Sequence, residues 1–282
     1  MSGNREIDEV KPDFIVNAAG KVGLHSAVRS SLLTPFSFIQ TGRPNIDWCE
    51  THKVETFRDN VIGCLNLFDI CEIKNIPCML LGTGCIYSYE QEGKFKLGSG
   101  IGFTEEDEPN FHGSFYSHTK ALMEQLVKAA GFQTALVLRL RLPVGDDLNP
   151  RSLITKLLGY KYLVDIPNSI SVLHNLLPVA IKMLRDGRRG IYNFTNHGTL
   201  SHNQIMETYK RIVDPTYSWL NFSEEEQNKI VKAKRSNNYL DTTKLKEQYP
   251  EVKNAQEALE EAMHLVKKSI ESGGPQPPPL PK

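Results

Sequence analysis

The chain predicts an α/β fold built on a parallel sheet, and three observations carry the prediction. Short apolar runs at residues 14–16, 77–82 and 134–140 read as buried strands. Helical stretches at 45–75 and 116–130 separate them, and in the first Val61, Leu65, Phe68 and Cys71 recur at three- and four-residue steps. Strands joined through helices of this length pair in parallel. Polar residues also gather where the strands end, at Asn17, Thr83 and Arg141. In open α/β sheets that is where ligands bind.

Residues 6–10 make a short polar helix at most, which Lys11-Pro12-Asp13 breaks. The strand after it ends at Asn17-Ala18-Ala19-Gly20, small residues that let a ligand approach the backbone. Asn60, on the long helical region, reads as a kink or cap on one view and as a cofactor contact on the other. Trp48 is either core or site wall. Gly98-Ser99-Gly100-Ile101-Gly102 follows a polar run and precedes an acidic one, so it reads as a loop over the site. Gly131 marks the C-terminal cap of the helix that begins near Tyr116. Beyond residue 145, helices are expected at 149–156, 172–184, 204–213, 224–232, 242–248 and 254–270, with a strand at 190–194. Pro178 should kink the second of these. Residues 273–282 form a Pro-rich, extended tail.

The most informative stretch is Tyr116-Ser117-His118-Thr119-Lys120. Four residues apart on a helix, Tyr116 and Lys120 share a face. A phenol titrates near 10 and needs help to move a proton at neutral pH. A nearby ammonium favours the phenolate, which makes an acid/base suited to a carbonyl or alcohol. The spacing alone is weak, since solvent-facing helices often contain it. Thr83, delivered by the preceding strand, strengthens it.

That layout resembles the extended short-chain dehydrogenases. Within them the chain is similar to the epimerase-reductases of nucleotide-rhamnose synthesis, known as the C-terminal half of plant rhamnose synthases. The resemblance rests on Asn17-Ala18-Ala19-Gly20, on Thr41-Gly42-Arg43-Pro44-Asn45-Ile46-Asp47-Trp48-Cys49-Glu50, and on Thr83-Gly84-Cys85-Ile86-Tyr87. It rests also on residues 98–103, on Tyr116 to Lys120 and on Arg235-Ser236-Asn237-Asn238. It implies a Rossmann-like sheet over 1–145, a smaller substrate-binding lobe over 146–270 and a disordered tail over 271–282. It also implies NADPH (or NADH) as cofactor and a nucleotide sugar as substrate. Cofactor contacts would come from Asn17, Ala18, Ala19, Asn60, Thr83, Tyr116, Lys120, Leu142 and Pro143. Substrate contacts would come from Asn45, Arg151, Asn168, Arg235 and Asn238.

The sequence departs from this pattern twice. No glycine-rich turn precedes Phe14, so the opening strand–turn–helix unit, which needs roughly 30 residues, is expected to be missing. Its loss would expose a sheet edge and weaken the hold on a pyrophosphate. Residues 21–40 interrupt the stretch that runs from Asn17-Ala18-Ala19-Gly20 into Thr41-Gly42-Arg43 in related sequences. They read as a surface insertion or a gene-model artefact and are expected to be poorly ordered.

By resemblance, the acidic pair of sugar-nucleotide dehydratases would fall at Gly84 and Cys85, and neither is acidic. Dehydration is therefore disfavoured. Epimerisation beside a ketone needs a base on one face and an acid on the other, together with donors for the enolate. A thiol serves either role. Resemblance assigns the roles to Cys85 and Lys156, with Thr83, Tyr116 and Lys120 serving the 4-keto group. The blander alternatives are a buried small residue at Cys85 and a solvated helix face at Lys156. A different class of reading makes the chain a non-catalytic regulatory or binding subunit related to 4-keto-sugar reductases.

Bulk composition narrows the partners. Lys+Arg and Asp+Glu are both 33, a net charge of zero that gives no electrostatic reason to bind nucleic acid or an anionic membrane. Cysteines number 5, an odd count without a CxxC pair, as expected of reduced intracellular thiols. No N-terminal apolar segment suggests a signal peptide, and no apolar run nears the ~18 residues a membrane span needs. A cytoplasmic protein is expected, with homodimerisation open and no metal site.

Overall fold

The computed structural model describes residues 7–8, 10–19, 36–41, 46–150 and 152–278. Its centre is a five-stranded sheet in the order β2–β1–β3–β4–β8, every neighbouring pair parallel. The strands are β1 (Phe14–Ala19), β2 (Phe36–Thr41), β3 (Cys78–Thr83), β4 (Ala135–Leu140) and β8 (Gly190–Asn193). Side chains alternate between the two faces. Ile15, Cys78, Leu80, Ala135 and Val137 enter one core. Phe14, Val16, Met79, Leu136 and Leu138 enter the other. Both faces are apolar because helices cover both, and the strands accordingly read as continuous hydrophobic runs.

On the first face lie α3 (Gly63–Ile73) and α4 (Phe115–Ala130), with Phe68, Cys71, Met123 and Val127 against the sheet. Ahead of α3 run α1 (Ile46–Thr51), α2 (Lys53–Phe57) and a π-helical turn, Arg58–Ile62. On the second face lie α6 (Leu173–Arg185) and α9 (Thr243–Gln248), through Leu176, Met183 and Leu245. Pro178 is inside α6, on its exposed side.

A separate core holds the C-terminal lobe. It combines α5 (Leu153–Leu158), α7 (His202–Ile212) and α10 (Ala255–Glu271), with Leu259, Met263 and Val266 fully buried. Short pairs flank it: β5 (Pro143–Val144) with β7 (Ser171–Val172), and β6 (Tyr162–Leu163) with β9 (Leu220–Asn221). The α8 helix (Glu224–Ile230) completes the set. Gly131 closes α4 at φ 67°, as its place in the sequence suggests, and Ser201 and Ser223 each form a capping box. Among the described residues no helix is long and apolar enough to cross a membrane.

The structure corrects one expectation here. Part of the stretch expected to be poorly ordered forms β2, whose residues pair with β1 from Phe14↔Phe36 to Ala19↔Thr41. The physical reason is β1 itself, whose outer edge would otherwise present a row of unpaired N–H and C=O groups. The edge expected to be open is filled by chain from the interruption. The remainder of that interruption, 21–35, falls outside the described residues.

Candidate active site

The site forms at the C-terminal ends of β3 and β4, where the two strand ends present three side chains. Thr83 ends β3, 8 % exposed. Its Oγ1 accepts the Cys85 backbone N–H at 3.1 Å, which fixes the turn that presents the thiol. Arg141 follows β4, and its Nη1 donates to Cys85 Sγ at 3.0 Å. Arg141 is itself held by Asn168 Oδ1 at 2.5 Å and by the Ser236 carbonyl.

The opposite wall is the start of α4. Ser114 caps it by accepting Ser117 N–H at 3.1 Å, and Glu50 Oε1 accepts the Phe115 N–H at 2.7 Å. This explains why an acidic residue at the end of the Thr41–Glu50 motif matters: it ties α1 to the helix carrying Tyr116 and Lys120. Tyr116 hydrogen-bonds Thr83. Lys120 is 2 % exposed, and its Nζ has no partner. Burial pushes the Lys120 ammonium below its ordinary range. Burial also drives Tyr116 well above the usual phenol value, reinforced by Cys85 and opposed by the Thr83 hydrogen bond. Burial and the Cys85 charge thus work against the phenolate that a neighbouring ammonium favours.

Asn60 sits in the π-helical turn and donates to Thr119 Oγ1 at 3.1 Å, beside Lys120. Such turns recur at functional sites. Asn17, 1 % exposed and inside β1, which runs on to Ala19, donates to Cys64 Sγ at 3.5 Å.

A cavity of about 620 Å³ opens from this point between sheet and C-terminal lobe. Of the residues singled out in the sequence, it gathers Cys85, Leu142, Lys156, Asn168 and Arg235 on one lining. Leu142 adopts φ 39°, a left-handed backbone rare outside glycine, as the chain turns from sheet to lobe. Lys156 reaches the lining from the exposed side of α5. Thr83, Tyr116, Lys120 and Pro143 are not on this lining. Asn238 is fully buried and clips the turn after β3, donating to the Gly84 and Tyr87 carbonyls at 2.9 Å each. Trp48 stacks on His52, ring centroids 4.1 Å apart. Asn45, Arg151 and the side chains of Ala18 and Ala19 lie outside the described residues.

The glycine-rich loop is not a cover for the cavity, since none of residues 98–102 lines it. Its end instead zips to the strand behind the site, Phe103 N–H to Tyr239 O and Asp241 N–H to Phe103 O, each at 2.8 Å. A Cβ on Gly102 would lie 2.6 Å from Asp241 N and 3.0 Å from Leu240 C. Gly102→Ala should therefore cost about 1–3 kcal/mol, read as a lowered midpoint in urea unfolding.

Three lining residues escaped the sequence reading. Arg141 was visible only as a basic residue at a strand end. Asp47 forms a two-pronged pair with Arg235, 3.2 Å and 2.7 Å, which holds its carboxyl below the usual range. The third, His202, gave no sequence signal beyond a cap position.

A doubly covered parallel sheet, with a threonine at one strand end and a Tyr–Lys pair on the helix beside it, defines a Rossmann-type α/β protein. Residues 2–176 match the NAD dependent epimerase/dehydratase family, and the chain belongs to it. It is 49 % identical over 255 residues to an Arabidopsis thaliana bifunctional dTDP-4-dehydrorhamnose 3,5-epimerase/dTDP-4-dehydrorhamnose reductase, covering 90 % of this chain and 77 % of that protein. It is 46 % identical over 255 residues to the trifunctional Arabidopsis rhamnose synthase RHM2, again over 90 % of this chain. The chain spans 35 % of that longer protein. The crystal structure of the L780 UDP-rhamnose synthase from Acanthamoeba polyphaga mimivirus superposes with a TM-score of 0.81 at 37 % identity, over 94 % of this chain and 86 % of that one.

Proposed function

We propose that the chain is a nucleotide-sugar 3,5-epimerase and 4-reductase, converting UDP- (or dTDP-) 4-keto-6-deoxyglucose to the L-rhamnose form with NADPH (or NADH). One observation carries the reading: Cys85 and Lys156, from different lobes, line a single cavity, and the Cys85 N–H is held by Thr83 Oγ1 at 3.1 Å. The relatives reported above support the substrate class.

The residues fit a nicotinamide cofactor. The Lys120 Nζ, buried and without a partner, is the kind of group a ribose hydroxyl satisfies, and Asn60 steadies its helix through Thr119. When bound, the cofactor supplies hydride to the 4-keto carbon. Thr83 and Tyr116 hydrogen-bond the C4 oxygen, which bears the negative charge when a proton leaves C3 or C5. Cys85 and Lys156 exchange those protons from opposite faces of the sugar. Tyr116, kept protonated by burial, then gives its proton to the C4 oxygen.

Solvent exchange tests this directly. In D₂O the wild type should place deuterium at C3 and C5 of the 4-keto sugar. Cys85→Ser should stop that exchange yet still reduce a sugar that is already epimerised. Full exchange by Cys85→Ser would remove Cys85 from the mechanism.

A further inference from the structure

The proton-transfer cavity contains a histidine for which the chemistry above has no use. His202 opens α7 and lines the cavity, and its ring Nε2 is buried without a partner. Folded chains seldom leave a buried polar atom so, and each case calls for an explanation. Two other polar residues of the lining are already engaged. Asn168 Oδ1 accepts from Arg141 at 2.5 Å and from the Asn238 N–H at 3.0 Å, and Arg235 is paired with Asp47.

The ring's state narrows what it can bind. Burial pushes His202 down to about 4, helped by the Arg141 charge and opposed by Asp165, so the imidazole is neutral at neutral pH. A neutral imidazole has one donor and one acceptor, and a hydroxyl has both as well. A diphosphate, by contrast, offers acceptors alone and would leave the ring's acceptor nitrogen unpaired.

Its place in the wall narrows the location. Leu200 and Asn168 exchange backbone hydrogen bonds at 2.9 Å and 3.0 Å. Asn168 then holds Arg141, and Arg141 holds the Cys85 sulfur at 3.0 Å. His202, two residues beyond Leu200, shares one cavity lining with Arg141 and Cys85. Its α7 also packs against α5, which carries Lys156.

We infer that His202 hydrogen-bonds a ring hydroxyl of the hexose and so selects nucleotide sugars by their sugar rather than by their nucleotide. The inference rests on the nucleotide-sugar reading of the cavity.

Calorimetric titration of the full chain with UDP-rhamnose and, separately, with UDP tests it without turnover. His202→Ala should bind UDP-rhamnose about tenfold more weakly, the worth of one hydrogen bond, while UDP affinity stays at the wild-type level. His202→Gln, which keeps a donor and an acceptor, should recover part of the loss. Unchanged affinity for UDP-rhamnose would overturn the contact. Equal weakening for both ligands would make His202 a structural residue instead. Failure of the wild type to bind either ligand would overturn the nucleotide-sugar reading and this inference with it.

Discussion

Tyr116→Phe should lower 4-keto reduction by about 10²–10⁴-fold, the usual contribution of a positioned acid, while leaving the fold in place and slowing the C3/C5 exchange less, since Thr83 still donates to the C4 oxygen. The substitution removes one oxygen from a half-buried ring on the first turn of α4. Ser114 and Glu50 continue to cap that helix through backbone N–H groups. What disappears is the phenol proton and its interaction with Thr83. Because burial holds the phenol well above its ordinary value, Tyr116 keeps its proton throughout the neutral range, so the wild-type protonation step should not weaken there as pH rises. Single-turnover reduction of an epimerised 4-keto sugar, followed by loss of NADPH absorbance, reads the effect. Reduction by Tyr116→Phe at the wild-type rate would mean that another group protonates the C4 oxygen.

How legible this was depends on how local each signal is. The strands from 78 to 83 and 135 to 140 are largely apolar, broken only by Arg139 and by Gly82-Thr83 at the strand end, because a parallel sheet covered on both faces buries both sides of each strand. The Tyr116–Lys120 pair shows itself through helical spacing, and α4 does begin at Phe115. In contrast, β2 sits where the sequence breaks its family pattern, and pairing with β1 is a long-range property that no local composition announces. Asn238 shows the same limit. As an asparagine in a recognisable motif it reads as a ligand, yet its amide is spent on the Gly84 and Tyr87 carbonyls, shaping the loop that presents Cys85. Arg141 was harder still, since its contacts with Cys85, Asn168 and Ser236 join positions as far apart as residues 85 and 236.

The site is also only as rigid as the sheet end beneath it, and that rigidity depends on a buried charge. Arg139 on β4 is 2 % exposed and its guanidinium meets Glu124 of α4 through Nη2 at 2.5 Å and Nε at 3.0 Å. The same group donates to Asn193 Oδ1 on β8 and to the Thr104 and Glu105 carbonyls. It therefore ties together the helix that carries Tyr116, the strand that leads to Arg141 and the loop that leads to the Leu240 seam. Burial opposes the guanidinium's charge and Glu124 more than restores it, leaving Arg139 above its ordinary range.

Glu124→Ala should accordingly destabilise the chain by about 3–5 kcal/mol, because it strands a guanidinium in the interior. At roughly 2–4 °C per kcal/mol for a domain of this size, the melting temperature should fall by about 10 °C. Glu124→Ala with Arg139→Met should recover much of that loss, since the methionine removes the uncompensated charge and fills the space. Calorimetric melting of the two variants separates the explanations. Equal stability in the single and double variants would mean that packing around Glu124, rather than the ion pair, sets the cost. Recovery would assign it to the unpaired charge, and would predict that Tyr116, one end of α4 away, regains its hold on Thr83 in the double variant but not in the single one.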